Sequence, residues 1–125
     1  GRVDFAGSMG HTRDFVNSPE MIGYICEVAK VAKKHDLELV VGGGVSPDSI
    51  EPLRQVRAIR LDRFETRKVI FDAAVLDGDR AADGMALAIE FELLWLKNKR
   101  DYYRTLAEED ATRIGMMEAR QGTKG

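Results

Sequence analysis

The sequence predicts an α/β fold made of successive strand–helix units. Short apolar runs alternate with longer segments in which apolar residues recur every three or four positions. The expected strands begin near residues 2, 37 and 57, which suits the βα units of a (β/α)₈ barrel, each of about 31 residues. We therefore expect residues 1–80 to form successive βα units of this kind and residues 81–125 to form a long helical segment.

Composition and charge limit the partners of the chain. Its 125 residues include 19 basic and 21 acidic side chains, which give a net charge of −2 with the two signs interspersed. Since no broad field of one sign results, we expect binding neither to nucleic acid nor to a membrane. The single cysteine, Cys26, excludes an internal disulfide and a cysteine-cluster metal site, and no secretory pattern occurs in these residues. We expect a reducing, cytoplasmic compartment.

Residues 1–10 read as a short apolar strand that leads through Asp4 into a glycine-rich loop. Asp4 would stand at the carboxyl end of that strand, where parallel-sheet enzymes bind their ligands. A helix to about His35 is expected next, because Ser18 can cap its first turn and Pro19 suits the first helical position.

The middle of the chain predicts two more strands. Residues 37–41 form a short apolar strand that ends in three glycines, and Ser46 and Pro47 repeat the start signal of a helix. Residues 58–61 are expected to form the next strand. That strand would present the charged residues 62–68 where a barrel strand presents its loop.

A helical pattern runs from about residue 81 to residue 120, with Gly84 and Gly115 as its weak points. Its length far exceeds the average of about 11 or 12 residues and would overhang the wall of a barrel. The segment carries large apolar side chains, such as Trp95, between many charges. We expect it to dock on another surface, either as a homo-oligomer contact or as a simple cover for the sheet.

The candidate site residues follow the predicted strands. Asp4 is the candidate metal ligand, because a hard divalent cation prefers oxygen ligands and needs only one or two protein carboxylates; the alternative is an Asp that caps a strand end. Gly43 and Gly44 would let backbone N–H groups approach a phosphate or a carboxylate, or else form a tight turn with positive φ angles. Arg63 would clamp a substrate carboxylate, unless it is paired within its own charged run.

Three stretches resemble the HpcH/HpaI aldolase and citrate lyase family. GRVDFAGSMG at residues 1–10 resembles the family's glycine, proline, alanine, aspartate, leucine, serine motif, which ends in a similar Met-Gly or Leu-Gly. LDRFETRK at residues 61–68 and FELLWLKNKR at residues 91–100 are similar to stretches of one subgroup. The resemblance covers nearly the whole chain but only the last third to half of the family's barrel. It therefore implies the carboxyl-terminal part of a (β/α)₈ barrel enzyme, with residues 1–80 as the last βα units of the barrel and the terminal helix as a contact to a neighbouring subunit.

The resemblance implies a lyase that breaks carbon–carbon bonds in pyruvate-like 2-oxo acids or acyl-CoA substrates with Mg²⁺ or Mn²⁺. Asp4 matches the family's second metal ligand, and the backbone of Val3 matches a position that contacts the substrate carboxylate. Arg2 stands where the family usually has proline, so it is a further candidate for contact with the substrate carboxylate. The family's first metal ligand and its catalytic arginine have no counterpart here. The catalytic residues are therefore unknown, and the chain alone is expected to be inactive.

Two other functions remain open. A noncatalytic assembly module would dock through the terminal helix and bind no metal. A phosphate-binding barrel enzyme of another family would rest on the glycines at residues 42–44 alone.

Overall fold

The computed structural model describes residues 1–122, which form four α-helices and one small sheet. Helices α1, α2, α3 and α4 span Arg2–Ser8, Pro19–Lys34, Ile50–Arg57 and Ala81–Gly122, and strands β1, β2 and β3 span Val40–Val41, Arg63–Glu65 and Ile70–Asp72. Short 3₁₀ turns precede α2, α3 and α4.

The sheet has the order β1-β2-β3 and is mixed. β1 runs parallel to β2, with Val41 beside Phe64, whereas β2 and β3 are antiparallel, with Phe64 opposite Phe71. The prediction of a C-terminal part of a (β/α)₈ barrel is therefore wrong, because a barrel of that type needs parallel strands joined by helices. The described residues form a small α/β structure with a three-stranded sheet and one long terminal helix.

A tight turn makes the second strand pair antiparallel. The backbone N–H of Thr66 donates to the carbonyl of Val69 at 2.9 Å, and the Thr66 hydroxyl accepts from the Val69 N–H at 3.2 Å. Antiparallel neighbours can be joined by so short a turn, whereas parallel neighbours need a crossover of a dozen or more residues. The charged run 62–68, predicted as a barrel loop, is therefore mostly a strand and its hairpin turn.

Two predicted strands are absent from their expected places among the described residues. The expected strand leading to Asp4 is the helix α1, in which Arg2 and Ala6, one helical turn apart, are both buried. The expected strand at residues 58–61 is the C-cap of α3 and a turn, and the strand itself begins at Arg63. Both segments are short apolar runs, for which local pattern alone does not separate helix, strand and turn.

Helices with capping signals form where they are predicted. Ser18 accepts a hydrogen bond from the Met21 N–H at 3.1 Å, and Pro19 occupies the first position of α2. Pro52 lies in the first turn of α3, where its missing N–H removes no bond. The long α4 begins at Ala81 as predicted and continues to Gly122.

The chain divides into two compact units, Gly1–Phe91 and the helical segment from Glu92 onward. The core of the first unit lies between the sheet, α2, α3 and the first turns of α4, and Phe64 at its centre stacks on Phe71 with ring centroids 4.9 Å apart. In the second unit every residue from Leu93 to Gly122 is exposed. Within residues 1–122, no helix combines the length and the apolar character required to cross a membrane.

Candidate functional site

Arg2 joins the amino-terminal segment to residues 42–44, which we call the glycine loop. Its backbone N–H donates to the carbonyl of Gly42 at 2.9 Å, and its Nε donates to the carbonyl of Gly43 at 3.0 Å. The predicted site residues Arg2, Val3, Gly43 and Gly44 therefore lie together, in the first unit, where β1 ends.

The guanidinium of Arg2 is bound by protein acceptors. It donates to the Val16 carbonyl at 3.0 Å, to Asn17 Oδ1 at 2.8 Å and to the Ser49 hydroxyl at 3.2 Å. The residue is only 4% exposed, and burial lowers the pKa of its guanidinium to about 10. Arg2 thus fixes the position of the loops that surround it, and these hydrogen bonds use four of the five N–H donors of its guanidinium.

Gly43 and Gly44 are required by backbone geometry. Their φ angles are 86° and 65°, a region that residues with a Cβ rarely adopt. A Cβ on Gly43 would lie 2.7 Å from the Arg2 N and 2.8 Å from the Val3 N, which is too close for any side chain. The tight-turn interpretation therefore accounts for these glycines, and the same close approach brings the Val3 backbone to the loop.

Asp4 lies in the first turn of α1, where a negative charge is favourable, and its side chain is exposed. Among residues 1–122, no group of three or more His, Cys, Asp or Glu side chains could hold a metal ion. A complete protein metal site is thus not formed by the described part of the chain. Asp4 is suited only to a cation whose other ligands are water, substrate or groups from elsewhere.

Arg63 lies away from the glycine loop. It is level with Val40, at the start of β1, and its guanidinium forms an ion pair with Glu38, which raises its pKa. Glu65, two residues further along β2, is the charged residue that reaches the loop, since a Cβ on Gly42 would lie 2.9 Å from Glu65 Oε1. The alternative of pairing within the charged run 62–68 does not describe this ion pair, because Glu38 lies outside that run.

An apolar groove of about 250 Å³ lies beside the free edge of β1. Phe5 and Tyr24 are in edge-to-face contact on its wall, with ring centroids 5.6 Å apart, and Val28 and Val40 complete its exposed lining. The Leu39 carbonyl accepts from the Arg63 N–H at 3.3 Å, and backbone groups of successive strand residues face opposite edges, so those of the next residue, Val40, face the open side. The groove thus combines apolar walls with one unpaired strand edge.

Sequence reasoning missed Asn17 and Ser49. Ser49 stands three residues after Ser46 and completes a capping box with it, a pattern that the sequence does contain. Nothing in the local sequence marks Asn17, since its partner Arg2 lies 15 positions away.

Comparisons of the chain with protein families, with curated proteins and with solved structures found no match.

Proposed function

We propose that this chain supplies the substrate-carboxylate edge of a divalent-metal-dependent carbon–carbon lyase, of the aldolase and citrate lyase type, that acts on a pyruvate-like 2-oxo acid or an acyl-CoA. The observation that carries the proposal is the meeting of two segments that the sequence singles out, residues 1–10 and residues 42–44, at one end of β1. The motif resemblance of residues 1–10 supplies the reaction class.

In this proposal the residues have different tasks. Asp4 is the ligand that this chain offers to Mg²⁺ or Mn²⁺, and the cation supplies Lewis-acid stabilisation of developing negative charge. The backbone at Val3 and the loop at Gly43 and Gly44 receive the substrate carboxylate. Arg2 holds that loop against α1 through the hydrogen bonds described above. No general acid or base is assigned, so the chain alone is expected to bind without turnover.

Manganese titration followed by NMR tests the metal ligand on the chain itself. Mn²⁺ broadens the amide signals of nuclei near it, so substoichiometric Mn²⁺ should broaden residues 3–8 together with the adjacent Gly43 and Gly44. With Mg²⁺ in place of Mn²⁺, pyruvate should shift the amide signals of Gly43 and Gly44. Asp4→Asn keeps the shape of the side chain but removes the charge, and it should abolish the broadening at α1. Asp14→Asn changes another exposed aspartate and is the matched control.

The two readouts separate the parts of the proposal. Broadening that survives Asp4→Asn would remove Asp4 from the metal site. Pyruvate that leaves Gly43 and Gly44 unshifted would remove the loop from substrate binding. In a longer protein that contains this chain, Asp4→Asn should lose most of the metal-dependent release of pyruvate from a 4-hydroxy-2-oxo acid.

We propose as a second function that the chain is a noncatalytic assembly module. The specific observation is the second unit, a helix in which Trp95, Tyr102, Leu106 and other large side chains are all at least 39% exposed. Isolated helices are marginally stable in water and normally gain their stability from packing of one face. A self-associating helix is compatible with the lyase proposal, and it would also serve an assembly function in a chain that has no lyase activity.

We propose a reducing, cytoplasmic compartment for the protein. The support is the single cysteine, Cys26, which is unpaired and half-buried on α2.

A further inference from the structure

One face of the second unit carries a regular row of large and charged side chains. Successive members are three or four residues apart, so they lie along one side of an α-helix. We name this row the pairing face; its members are Trp95, Lys99, Tyr102, Leu106, Glu109, Arg113 and Met117.

The pairing face is complementary to its own reverse. When the sequence is reversed about Arg104, side chains of the face lie level with side chains of complementary chemistry. Trp95 and Arg113 are nine residues from this centre, on opposite sides of it. Lys99 and Glu109 are each five residues away. Tyr102 and Leu106 are each two residues away. Reversal therefore matches a cation with an aromatic ring, a base with an acid, and an aromatic with an aliphatic side chain.

We propose that two copies of the chain associate through this face as an antiparallel helix pair with a twofold axis near Arg104. Each contact then occurs twice, as an isologous interface requires. Lys99 of one copy faces Glu109 of the other, and Tyr102 faces Leu106. The guanidinium of Arg113 stacks on the Trp95 ring of the other copy, which attracts cations: Lys99 Nζ already lies 5.2 Å from its centroid.

The charges of the segment favour the antiparallel orientation. Residues 97–104 contain four basic side chains and one acidic side chain, whereas residues 108–110 are all acidic. A parallel pair would place like charges side by side, which is destabilising, whereas an antiparallel pair places the basic stretch beside the acidic one. This complementarity within one chain identifies the partner as a second copy. The inference rests on the proposed assembly function and adds its partner, orientation and register.

A charge-swap experiment on the whole chain tests the register. Lys99→Glu and Glu109→Lys, made singly, each place like charges opposite one another twice per dimer. Each should weaken association by about tenfold in sedimentation equilibrium at low salt. The double variant recreates both pairs with reversed signs and should restore the dissociation constant of the parent. Residues ten positions apart on one helix are about 15 Å apart along its axis, so the rescue has to occur between copies.

A second double variant is the matched control. Lys97→Glu with Glu108→Lys makes the same change of charge on the opposite side of the helix, so association should change by less than about twofold. Singles that weaken association without rescue in the double variant would overturn the antiparallel register while leaving self-association in place. Equal weakening by the control pair would overturn the assignment of the face. A parent chain that remains monomeric up to high micromolar concentration would overturn both this inference and the assembly function.

Discussion

At the residue scale, two charged side chains tie together segments that are distant in sequence. Arg2 binds the glycine loop, Val16, Asn17 and Ser49. Asp62 joins the starts of two strands, because its Oδ2 accepts from the Leu39 N–H at 2.7 Å and from Arg60 Nε at 3.1 Å. Each satisfies backbone groups that would be costly to leave unpaired.

The hydrogen bonds of Asp62 predict a loss of stability in acid. The bond from the Leu39 N–H, and then the guanidinium of Arg60, lower the pKa of Asp62 below its usual range. A carboxylate with a lowered folded-state pKa stabilises the fold above its unfolded pKa, about 3.9, and this contribution disappears as the pH falls through the folded value. Between about pH 5 and pH 2, the free energy of unfolding in urea should fall less steeply in Asp62→Asn than in the parent.

Asp77 is the comparison for this prediction. Its ion pair with Arg57 also lowers its pKa, but the Asp77 side chain is 58% exposed, so solvent weakens the pair. Asp77→Asn should therefore reduce the pH dependence of the free energy of unfolding less than Asp62→Asn does. If the free energy of unfolding depended on pH equally in the parent and in Asp62→Asn, the stabilising role of the Asp62 carboxylate would be contradicted.

At the scale of elements, the loop after β1 is shaped by close contact with the start of α1. Gly43 packs directly against backbone nitrogen atoms, whereas Gly10, which ends the turn after α1, also has a positive φ of 80° but has open space around it. A comparison of substitutions at the two positions therefore separates the destabilisation due to a positive φ from the destabilisation due to the close contact.

Gly43→Ala should therefore destabilise the chain more than Gly10→Ala. Each variant pays about 1 kcal/mol for a positive φ, and Gly43→Ala also forces the loop away from the Arg2 and Val3 nitrogen atoms, by analogy with overpacking at about 1–3 kcal/mol. Urea unfolding measures both differences. Gly23→Ala in α2, where a Cβ meets nothing within 4 Å, should instead be neutral or stabilising by up to about 1 kcal/mol. Equal costs at positions 43 and 10 would show that the contact with α1 is not important for stability.

At the scale of the whole molecule, the two units are stabilised in different ways. The first has a continuous apolar core that includes Phe64, Leu53 and Met85, each at most 1% exposed. The second is a helix with exposed side chains from Leu93 to Gly122, so the helix needs a partner for further stabilisation.

Hydrogen exchange should reveal this difference as a dependence on concentration. The amide of Phe64, on the central strand, should exchange slowly at every concentration. The amides of residues 95–113 should exchange quickly in dilute solution and about tenfold more slowly once the chain associates. Protection of residues 95–113 that does not vary with concentration would mean that the helix is stable without a partner.

Local signals in the sequence were sufficient for α2, α4 and the end of β1. Ser18 and Pro19 mark a helix start through contacts within one turn, and the three glycines at residues 42–44 mark the end of a strand. The hydrogen bonds of Arg2 to Gly43 and Ser49 were not predictable in the same way, since these partners lie 41 and 47 positions from Arg2 and the contacts arise only on folding. Arg63 illustrates the same limit, because its partner Glu38 lies 25 positions away.

The helices with capping residues and the position of the glycine turn follow from the sequence alone, because these features depend on neighbours within one or two turns of backbone. Contacts between distant segments were needed to establish that residues 2–8 are helical, that β2 turns back into β3, and that Arg2 is buried as a structural link. Short apolar runs are compatible with more than one backbone conformation, and the choice between them depends on the distant groups that pair with their N–H and C=O groups.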